Sequence, residues 1–256
     1  MLSEKAVGYF EFLASLGLTK HLGSMQATRQ LIELCRIRSG QYVLDVGCGV
    51  GATPHYLARA IDCRVVGVDL LEAMIAQARA RTTAAGVQNR VKFAVADVRN
   101  LPFAAGLFDA VIAESVLVFF DDKREVIGEC ARVTRRGGYV GITEMTWLGP
   151  PAPEAVEYYR RVVYADALQA GEWIELLQQV GLEDVTGNAQ RVNIPQESRG
   201  RFERYGCRGI MQVLLRTLVT LYRDRTAREF MQDVTGSLPK DMMRDMGYGV
   251  YAGRKE

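Results

Sequence analysis

Three acidic residues stand where apolar runs end, and each could accept hydrogen bonds from a ligand. Asp45 lies at the end of the run YVLDV, Asp69 closes RVVGVD, and Asp97 follows VKFAVA. Alternate glycines follow the first acid, at Gly47, Gly49 and Gly51. A carboxylate that binds a sugar diol makes charge-assisted hydrogen bonds, each worth about 1.5–3 kcal/mol. The pattern therefore indicates a site for a nucleoside-like ligand.

The glycines and acids have a structural explanation as well as a functional one. Glycines after a strand let the backbone approach a ligand closely, or they simply make a tight strand-to-helix connection. A single acid at a strand end can be a helix cap. Acids at three successive strand ends favour a binding constellation, with Asp69 placed for ribose hydroxyls and Asp97 for an exocyclic amine such as that of adenine.

The spacing of the acid and the glycines separates two kinds of nucleotide site. Dinucleotide sites use G-x-G-x-x-G, which brings a helix N-terminus to the pyrophosphate. This chain has D-x-G-x-G-x-G, with Pro54 where a further glycine would be needed after Gly49 and Gly51. An acid beside the loop suits a cationic ligand end better than a diphosphate. The pattern thus favours a sulfonium cofactor over a nicotinamide dinucleotide.

Strands that alternate with helices must position these residues. Apolar runs predict strands at Tyr42–Val46, Arg64–Val68, Val91–Ala96, Phe108–Ala113 and Tyr139–Thr146. Helical patterns lie between them at Thr53–Ala60, Glu72–Ala85 and Asp121–Arg135. Such alternation predicts βαβ units and a parallel sheet covered on both faces. Ligands bind such sheets beyond the carboxyl ends of the strands, where the acids lie.

Further segments flank this core. Helical patterns are predicted at Met25–Ile37, Glu154–Ala167, Glu172–Val180 and Glu197–Asp233, and strands at Leu182–Val192 and Tyr248–Gly253. We therefore expect an N-terminal helical cap (1–38), a core (39–192 and 246–256) and a helical lid or insertion (193–245).

Five motifs together resemble those of class I S-adenosylmethionine-dependent methyltransferases, in the branch similar to ubiquinone and menaquinone biosynthesis enzymes. They are VLDVGCGVGATPHYLA, VVGVDLLEAMI, VKFAVADVRNLPF, FDAVIAESVLVFF and RVTRRGGYVGITE. The resemblance is strong over residues 40–147, and looser over GEWIELLQQVGLEDV and the last strand. It implies an α/β, Rossmann-like, seven-stranded sheet whose last strand is antiparallel.

The resemblance also assigns cofactor-binding residues. It implies that Asp45, the glycine loop with Cys48, and the segment Ala113–Ser115, which includes Glu114, face the methionine part of S-adenosylmethionine. Asp69 would hold the ribose, and the adenine would meet the set Leu70, Asp97 and Val98.

No obligatory catalytic residue follows from the motifs, because the cofactor carries the reactive group. A general base is needed only if the acceptor must lose a proton. The candidates are His21, His55 and Glu114; as alternatives, the histidines could be structural and Glu114 a cofactor contact. Cys48 is expected to be a small buried hydrophobe rather than a nucleophile. Nothing in the motifs indicates a metal.

The segment from Arg191 to Gln232 holds nine arginines and four acidic residues. Within it, GIMQVLLRTLVTLY is apolar over more of its circumference than a surface helix needs. It is expected to be a lid helix packed on the sheet. The alternatives are a homodimer contact, a hydrophobic substrate pocket, or contact with a membrane, which is the less favoured. A hydrophobic or acidic acceptor would suit this lobe.

Composition excludes several classes of protein. The formal net charge is +2 over 256 residues, which argues against a nucleic-acid-binding protein. Five widely spaced cysteines without a CxxC pair argue against a disulfide framework or a zinc site. We expect neither a signal peptide nor a transmembrane segment, and a cytoplasmic location.

The sequence as a whole predicts a methyltransferase that uses S-adenosylmethionine and transfers its methyl group to a small-molecule acceptor by in-line displacement. The alternatives are an RNA or protein methyltransferase, a protein that binds S-adenosylmethionine without catalysis, and a nicotinamide-dependent reductase.

Overall fold

The computed structural model of the 256-residue chain describes residues 23–223 and 245–256, together with residues 225, 228, 229 and 232. The candidate catalytic residue His21 lies outside the described residues, as does most of the segment 224–244.

One mixed sheet contains all the strands of the described residues. They are β1 Tyr42–Val46, β2 Arg64–Asp69, β3 Val91–Val95, β4 Phe108–Glu114, β5 Thr134–Trp147, β6 Leu168–Gln169, β7 Leu182–Arg191 and β8 Met246–Lys255. The main path runs β3-β2-β1-β4-β5-β8-β7, and the two-residue β6 pairs with the end of β5. β8 runs antiparallel to both β5 and β7, so the expected seven-stranded sheet with an antiparallel last strand is confirmed.

Seven α-helices are described along the chain. They are α1 Ser24–Leu34, α2 Ala52–Tyr56, α3 Glu72–Ala85, α4 Lys123–Val133, α5 Pro153–Tyr158, α6 Ala170–Gln179 and α7 Ile194–Arg223. Wider π-helical turns extend α2 through Leu57–Ile61 and α5 through Tyr159–Val163. None of the described helices is both long enough and apolar enough to cross a membrane.

Apolar packing covers both faces of the sheet. On one face, Phe108, Ile142 and Tyr251 pack with Ile127 of α4 and Trp173 of α6. On the other face, α1 contributes Leu31 and Ile32, which pack with apolar residues of β1, β4 and β8. Because β1, β2 and β4 are in parallel register, their carboxyl ends meet at one edge of the sheet. We call this the carboxyl edge, and the opposite one the amino edge.

Most predicted elements lie where the sequence places them, and the differences are at their ends. α3 spans the predicted Glu72–Ala85 and ends at Gly86, which takes a left-handed φ of 69°. The helix predicted over Glu154–Ala167 ends early, because Tyr164 takes a left-handed φ of 57°.

The boundary between α4 and β5 also differs from the prediction. The helix ends at Val133 rather than Arg135, and β5 begins at Thr134, five residues before the predicted Tyr139. Thr134 already pairs with Phe108 of β4. Pairing with a neighbouring strand therefore extends β5 into residues whose own pattern does not indicate a strand.

Candidate functional site

The loop between β1 and α2 has a backbone that needs glycine. Gly47, Gly49 and Gly51 have φ values of 66°, 53° and 79°. An added Cβ would lie 2.4 Å from Val116 at Gly47 and 2.6 Å from Phe93 at Gly51. Both distances are shorter than real contacts allow, so the loop combines left-handed backbone with close packing. It presents bare backbone at the carboxyl edge.

Asp69, at the end of β2, is fixed by backbone donors. Its Oδ2 accepts from the N–H of Gly49 at 2.9 Å, and its Oδ1 accepts from the N–H of Leu71 at 3.0 Å. Burial raises the pKa of Asp69, and the hydrogen bonds from Leu71, Gly49 and Leu70 partly offset that rise. Each oxygen keeps capacity for a further hydrogen bond, so Asp69 is a rigid acceptor beside the glycine loop.

Asp97, after β3, is paired with a cation two residues away. The Arg99 guanidinium donates from Nε to Oδ1 at 3.0 Å and from Nη2 to Oδ2 at 2.5 Å. This pairing holds the pKa of Asp97 below its usual value. Arg99 also lies over the ring of Phe120, 6.0 Å from its centroid. A ligand amine that used Asp97 would therefore share it with Arg99 or displace that side chain.

Glu114, the last residue of β4, links two helices. Its Oε1 accepts from the hydroxyl of Thr53 on α2 at 2.6 Å, and its Oε2 accepts from the hydroxyl of Thr28 on α1 at 2.7 Å. The carboxylate thereby ties the N-terminal helix and the helix after the glycine loop to the carboxyl edge. These contacts fit an organising role.

The other residues expected to bind the cofactor lie in different environments. Asp45 is buried within β1, and Cys48 is buried in the loop after it. Burial, together with Asp45 and Asp69, raises the pKa of Cys48, so its thiol stays protonated. Leu70 is 44% exposed, although it is apolar and lies beside Asp69, whereas the side chain of Val98 is buried in the core. Leu70 thus offers an apolar surface to a ligand, and Val98 can offer only its backbone.

His55 faces the helix α3. Its Nε2 lies 2.8 Å from the hydroxyl of Thr82, and its ring packs edge-on against Phe93 at 5.7 Å. Burial, then Arg81 and Arg59, lowers the pKa of His55 to about 4. The imidazole is therefore neutral at pH 7 and packed between α2 and α3, while Thr53 on the same helix contacts Glu114.

Sequence reasoning missed Glu144 on β5. It is fully buried, and its Oε1 accepts from the N–H groups of Val116 and Leu117 at 2.9 and 2.8 Å. Its Oε2 has no hydrogen-bond partner among the residues that the structure describes. Burial raises the pKa of Glu144 to about 7, against the effect of the backbone donors and of Lys123. The available signal was an acid in the apolar run YVGITEMTW.

Glu144 belongs to a buried polar group that holds the loop after β4. Besides the Glu144 contacts, Lys123 donates to the carbonyl of Phe120 at 2.9 Å, and the N–H of Asp166 donates to the carbonyl of Val118 at 2.7 Å. The same loop places Val116 against Gly47. The position of the glycine loop is thus coupled to these anchors.

The carboxyl edge as a whole suits a nucleoside with a cationic group. The glycine loop presents backbone without side chains, Asp69 is a fixed hydrogen-bond acceptor, and Asp45 and Glu114 add negative charge to the same edge. Such an arrangement can orient a ligand and stabilise a positive charge.

Comparison with known proteins agrees with this geometry. Residues 44–142 match the family described as Methyltransferase domain. The chain is 30% identical over 177 residues to O-methyltransferase resE of Aspergillus sclerotiorum, covering 68% of this chain and 67% of that protein. It is 34% identical over 142 residues to methyltransferase GfsG of Streptomyces halstedii, covering 56% of this chain but only 51% of the relative.

Solved structures show the same fold at low identity. A methyltransferase from Geobacter sulfurreducens in complex with S-adenosyl-L-homocysteine aligns with a TM-score of 0.72 and 21% identity, over 97% of this chain and 98% of that one. The [4+2]-cyclase SpnF aligns with a TM-score of 0.75 and 21% identity, over 98% and 92%.

Proposed function

Because the chain belongs to the class I S-adenosylmethionine-dependent methyltransferases, we propose that it methylates a small-molecule acceptor. The observation that carries the proposal is Asp69, held by the N–H groups of Gly49 and Leu71 at the end of β2. A carboxylate fixed in this way is prepared to bind the two hydroxyls of a ribose. The O-methyltransferase name of the Aspergillus sclerotiorum relative makes an acceptor hydroxyl the first to test.

The proposed cofactor contacts follow the carboxyl edge. Asp69 binds the ribose and Leu70 packs on the adenine, which also meets Asp97 and the backbone of Val98. The methionine part lies against the glycine loop, with Asp45 and Glu114 supplying negative charge near its ammonium and sulfonium groups. Gly47 keeps the loop in this position, because any side chain there would meet Val116.

In the proposed mechanism the protein aligns the two reactants and excludes water. S-adenosylmethionine, when bound, supplies a methyl group activated by its sulfonium sulfur. Asp69 at the ribose and the glycine loop at the methionine part would hold the cofactor so that its methyl group faces an acceptor atom, and the proton of an acceptor hydroxyl would leave to solvent or to a nearby base. Alignment of this kind is worth roughly 7–11 kcal/mol of the barrier.

We propose that Glu114 organises the site rather than acting as the base. Both of its oxygens already accept from threonine hydroxyls, on α1 and α2. His55 is likewise proposed as a packing residue, since its ring is engaged with Thr82 and Phe93. His21 remains a candidate base.

The helices outside the core are proposed to enclose the acceptor. We propose that residues 1–38 form a cap and 193–245 a lid over the core. α1 is tied to Glu114 and packs against α7. α7 exposes an apolar stripe at Met211, Leu214, Leu215, Leu218, Val219 and Tyr222. That stripe supports a hydrophobic acceptor, and a homodimer contact through it is the alternative, which light scattering would detect.

Labelled cofactor tests this proposal directly. The purified protein would be incubated with methyl-labelled S-adenosylmethionine and fractionated hydroxylated metabolites, and products examined by mass spectrometry for the gain of one methyl group. Transfer that requires Asp69 supports the proposal. Binding of S-adenosylhomocysteine without transfer to any fraction would instead favour a non-catalytic cofactor-binding protein, and labelled RNA or protein would favour a macromolecular acceptor.

A second experiment, which compares two ligands, tests the cofactor assignment. Thermal unfolding would be followed with S-adenosylhomocysteine and with NAD. Stabilisation by the former alone agrees with the proposal, whereas stabilisation by NAD alone would overturn it. The [4+2]-cyclase SpnF has the same fold. Because the fold is shared with a protein named as a cyclase, turnover of a labelled methyl group is the deciding measurement.

A further inference from the structure

A cavity of about 330 Å³ lies at the amino edge of the sheet, opposite the candidate site. Its walls include Arg36, Arg38, Asp109, Arg135, Tyr139 and Arg254. They come from the turn after α1, the beginnings of β4 and β5, and the end of antiparallel β8. A strand the length of β1 spans roughly 15 Å, so the cavity is separate from the glycine loop.

The cavity holds more positive charge than its own acids balance. Asp109 accepts from Arg135 Nε at 2.6 Å and from the N–H of Tyr42 at 2.7 Å. Arg254 is paired outside the cavity wall with Asp184 at 3.1 Å and Glu256 at 3.2 Å. Among the described residues, Arg36 and Arg38 have no carboxylate within ion-pair distance.

Arg36 has a left-handed backbone conformation, and its side chain contacts an aromatic ring. This residue follows the C-cap of α1 in a left-handed conformation with φ 50°, a position where glycine is the usual choice. Its neighbours Cys35 and Ile37 are buried, and the N–H of Ile37 donates to Ile32 at 2.9 Å. The guanidinium lies over the ring of Tyr139, 5.5 Å from its centroid. An arginine thus occupies position 36 although its left-handed φ is strained for a residue with a side chain.

Arg38 is anchored in the turn that leads into β1. Its N–H donates to Oε1 of Gln41 at 2.8 Å, and its carbonyl accepts from the N–H of Gln41 at 3.3 Å. Gly40 completes this turn with φ 82°. The guanidinium groups of Arg36 and Arg38 therefore start from fixed backbone on the rim of one cavity.

We propose that this cavity binds a phosphoryl group, carried by free phosphate or by a small phosphorylated molecule. A guanidinium offers paired N–H donors whose geometry matches a tetrahedral oxyanion, and Arg36 and Arg38 supply two of them. A bound dianion would also relieve the repulsion among the guanidinium groups. The site lies apart from the proposed methyl-transfer site and does not depend on it.

Titration calorimetry of the full chain with inorganic phosphate tests the proposal. Chloride at matched ionic strength separates a site from general screening. We expect saturable binding in the wild type and at least ten-fold weaker binding in R36Q/R38Q. The control R124Q/R161Q removes the same charge from exposed arginines elsewhere and should bind like the wild type. Glycerol 3-phosphate forms a second arm: tighter binding than phosphate identifies a phosphorylated molecule, and weaker binding identifies free phosphate.

Two further measurements distinguish loss of the phosphate site from loss of the fold. S-adenosylhomocysteine binding by R36Q/R38Q reports whether the variant is folded. Arg36→Gly removes the guanidinium and relieves the left-handed backbone, so it should unfold at an equal or higher temperature and still lose phosphate affinity. Phosphate binding that is absent in the wild type, or unchanged in Arg36→Gly and in R36Q/R38Q, would overturn the proposal.

Discussion

The carboxyl edge of the sheet carries acidic groups and the amino edge carries arginines, and the two kinds of charge differ in their burial and in their hydrogen bonds. At the carboxyl edge, Asp69, Glu114 and Glu144 are buried or half-buried, and each has at least one oxygen that accepts from a backbone N–H group or a threonine hydroxyl. At the amino edge, Arg36 and Arg38 are exposed on the rim of an open cavity. The formal net charge of +2 conceals this separation.

The difference follows from what each kind of charge needs when it leaves water. A carboxylate loses hydration on burial and must be given donors in its place, and the turns at strand ends supply them. A guanidinium on a long side chain stays hydrated while its stem packs, so it needs a fixed starting point but no internal partner. The acids at the carboxyl edge are thus hydrogen-bonded within the fold, whereas the arginines at the amino edge keep their guanidinium groups in solvent.

Replacement of Asp69 by alanine should give the largest effect. We expect binding of S-adenosylhomocysteine to weaken about 100-fold or more, because two charge-assisted hydrogen bonds to the ribose are lost. Titration calorimetry measures the affinity, and circular dichroism checks the fold. The exposed Asp121→Ala is the matched control. Wild-type affinity in Asp69→Ala would remove the ribose assignment.

Glu144→Gln should change how stability depends on pH. The folded pKa of about 7 exceeds the unfolded value near 4.5, so between these values the folded protein keeps a proton that the unfolded chain has released. The stability that this residue contributes is full below pH 4.5 and is lost as the pH rises through 7, by up to about 3 kcal/mol.

The difference in unfolding free energy between the wild type and Glu144→Gln isolates the contribution of Glu144. His55 has the opposite sign, since its pKa is lowered to about 4 and its contribution is lost as the pH falls, so the wild-type curve alone mixes both. Urea unfolding of wild type and Glu144→Gln from pH 5 to pH 8 gives the difference curve. Equal slopes in the two proteins would mean that Glu144 does not titrate in this range.

Replacement of the two threonines that donate to Glu114 should give a smaller effect. Thr28→Val and Thr53→Val each remove one hydroxyl donor from a half-buried carboxylate, and each should cost about 1.5 kcal/mol of unfolding free energy. Thr28→Ser and Thr53→Ser keep the hydroxyl and serve as controls in the same urea titrations. Valine variants as stable as their serine counterparts would show that Glu114 does not depend on these donors.

Arg99→Gln should give the smallest effect and would sharpen the contrast between Asp69 and Asp97. The Arg99 and Asp97 side chains are 30% and 33% exposed, and such pairs contribute at most about 1 kcal/mol. Freeing Asp97 for adenine should therefore tighten S-adenosylhomocysteine binding only a few-fold. Arg124→Gln is the control, and weaker binding by Arg99→Gln would place that guanidinium among the ligand contacts.

Local pattern predicted most of the strands and several helices. Runs such as Tyr42–Val46 are mostly apolar and buried on both faces, as strands of a covered parallel sheet are, and Gly86 ends α3 with a left-handed backbone that favours glycine. The early start of β5 depended instead on pairing with Phe108, and the early end of α5 on the conformation of Tyr164. Neither leaves a mark in the local sequence.

The sequence by itself determined which residues stand at the carboxyl edge, because periodicity sets strand ends and parallel strands bring those ends together. It therefore indicated Asp45, Asp69, Asp97 and the glycine loop. Only the tertiary structure decided the partners: Thr28 meets Glu114 across 86 positions, and Glu144 meets Val116 across 28. The reason is physical, since hydrogen bonds and burial depend on which elements pack together, and that packing is a property of the whole chain.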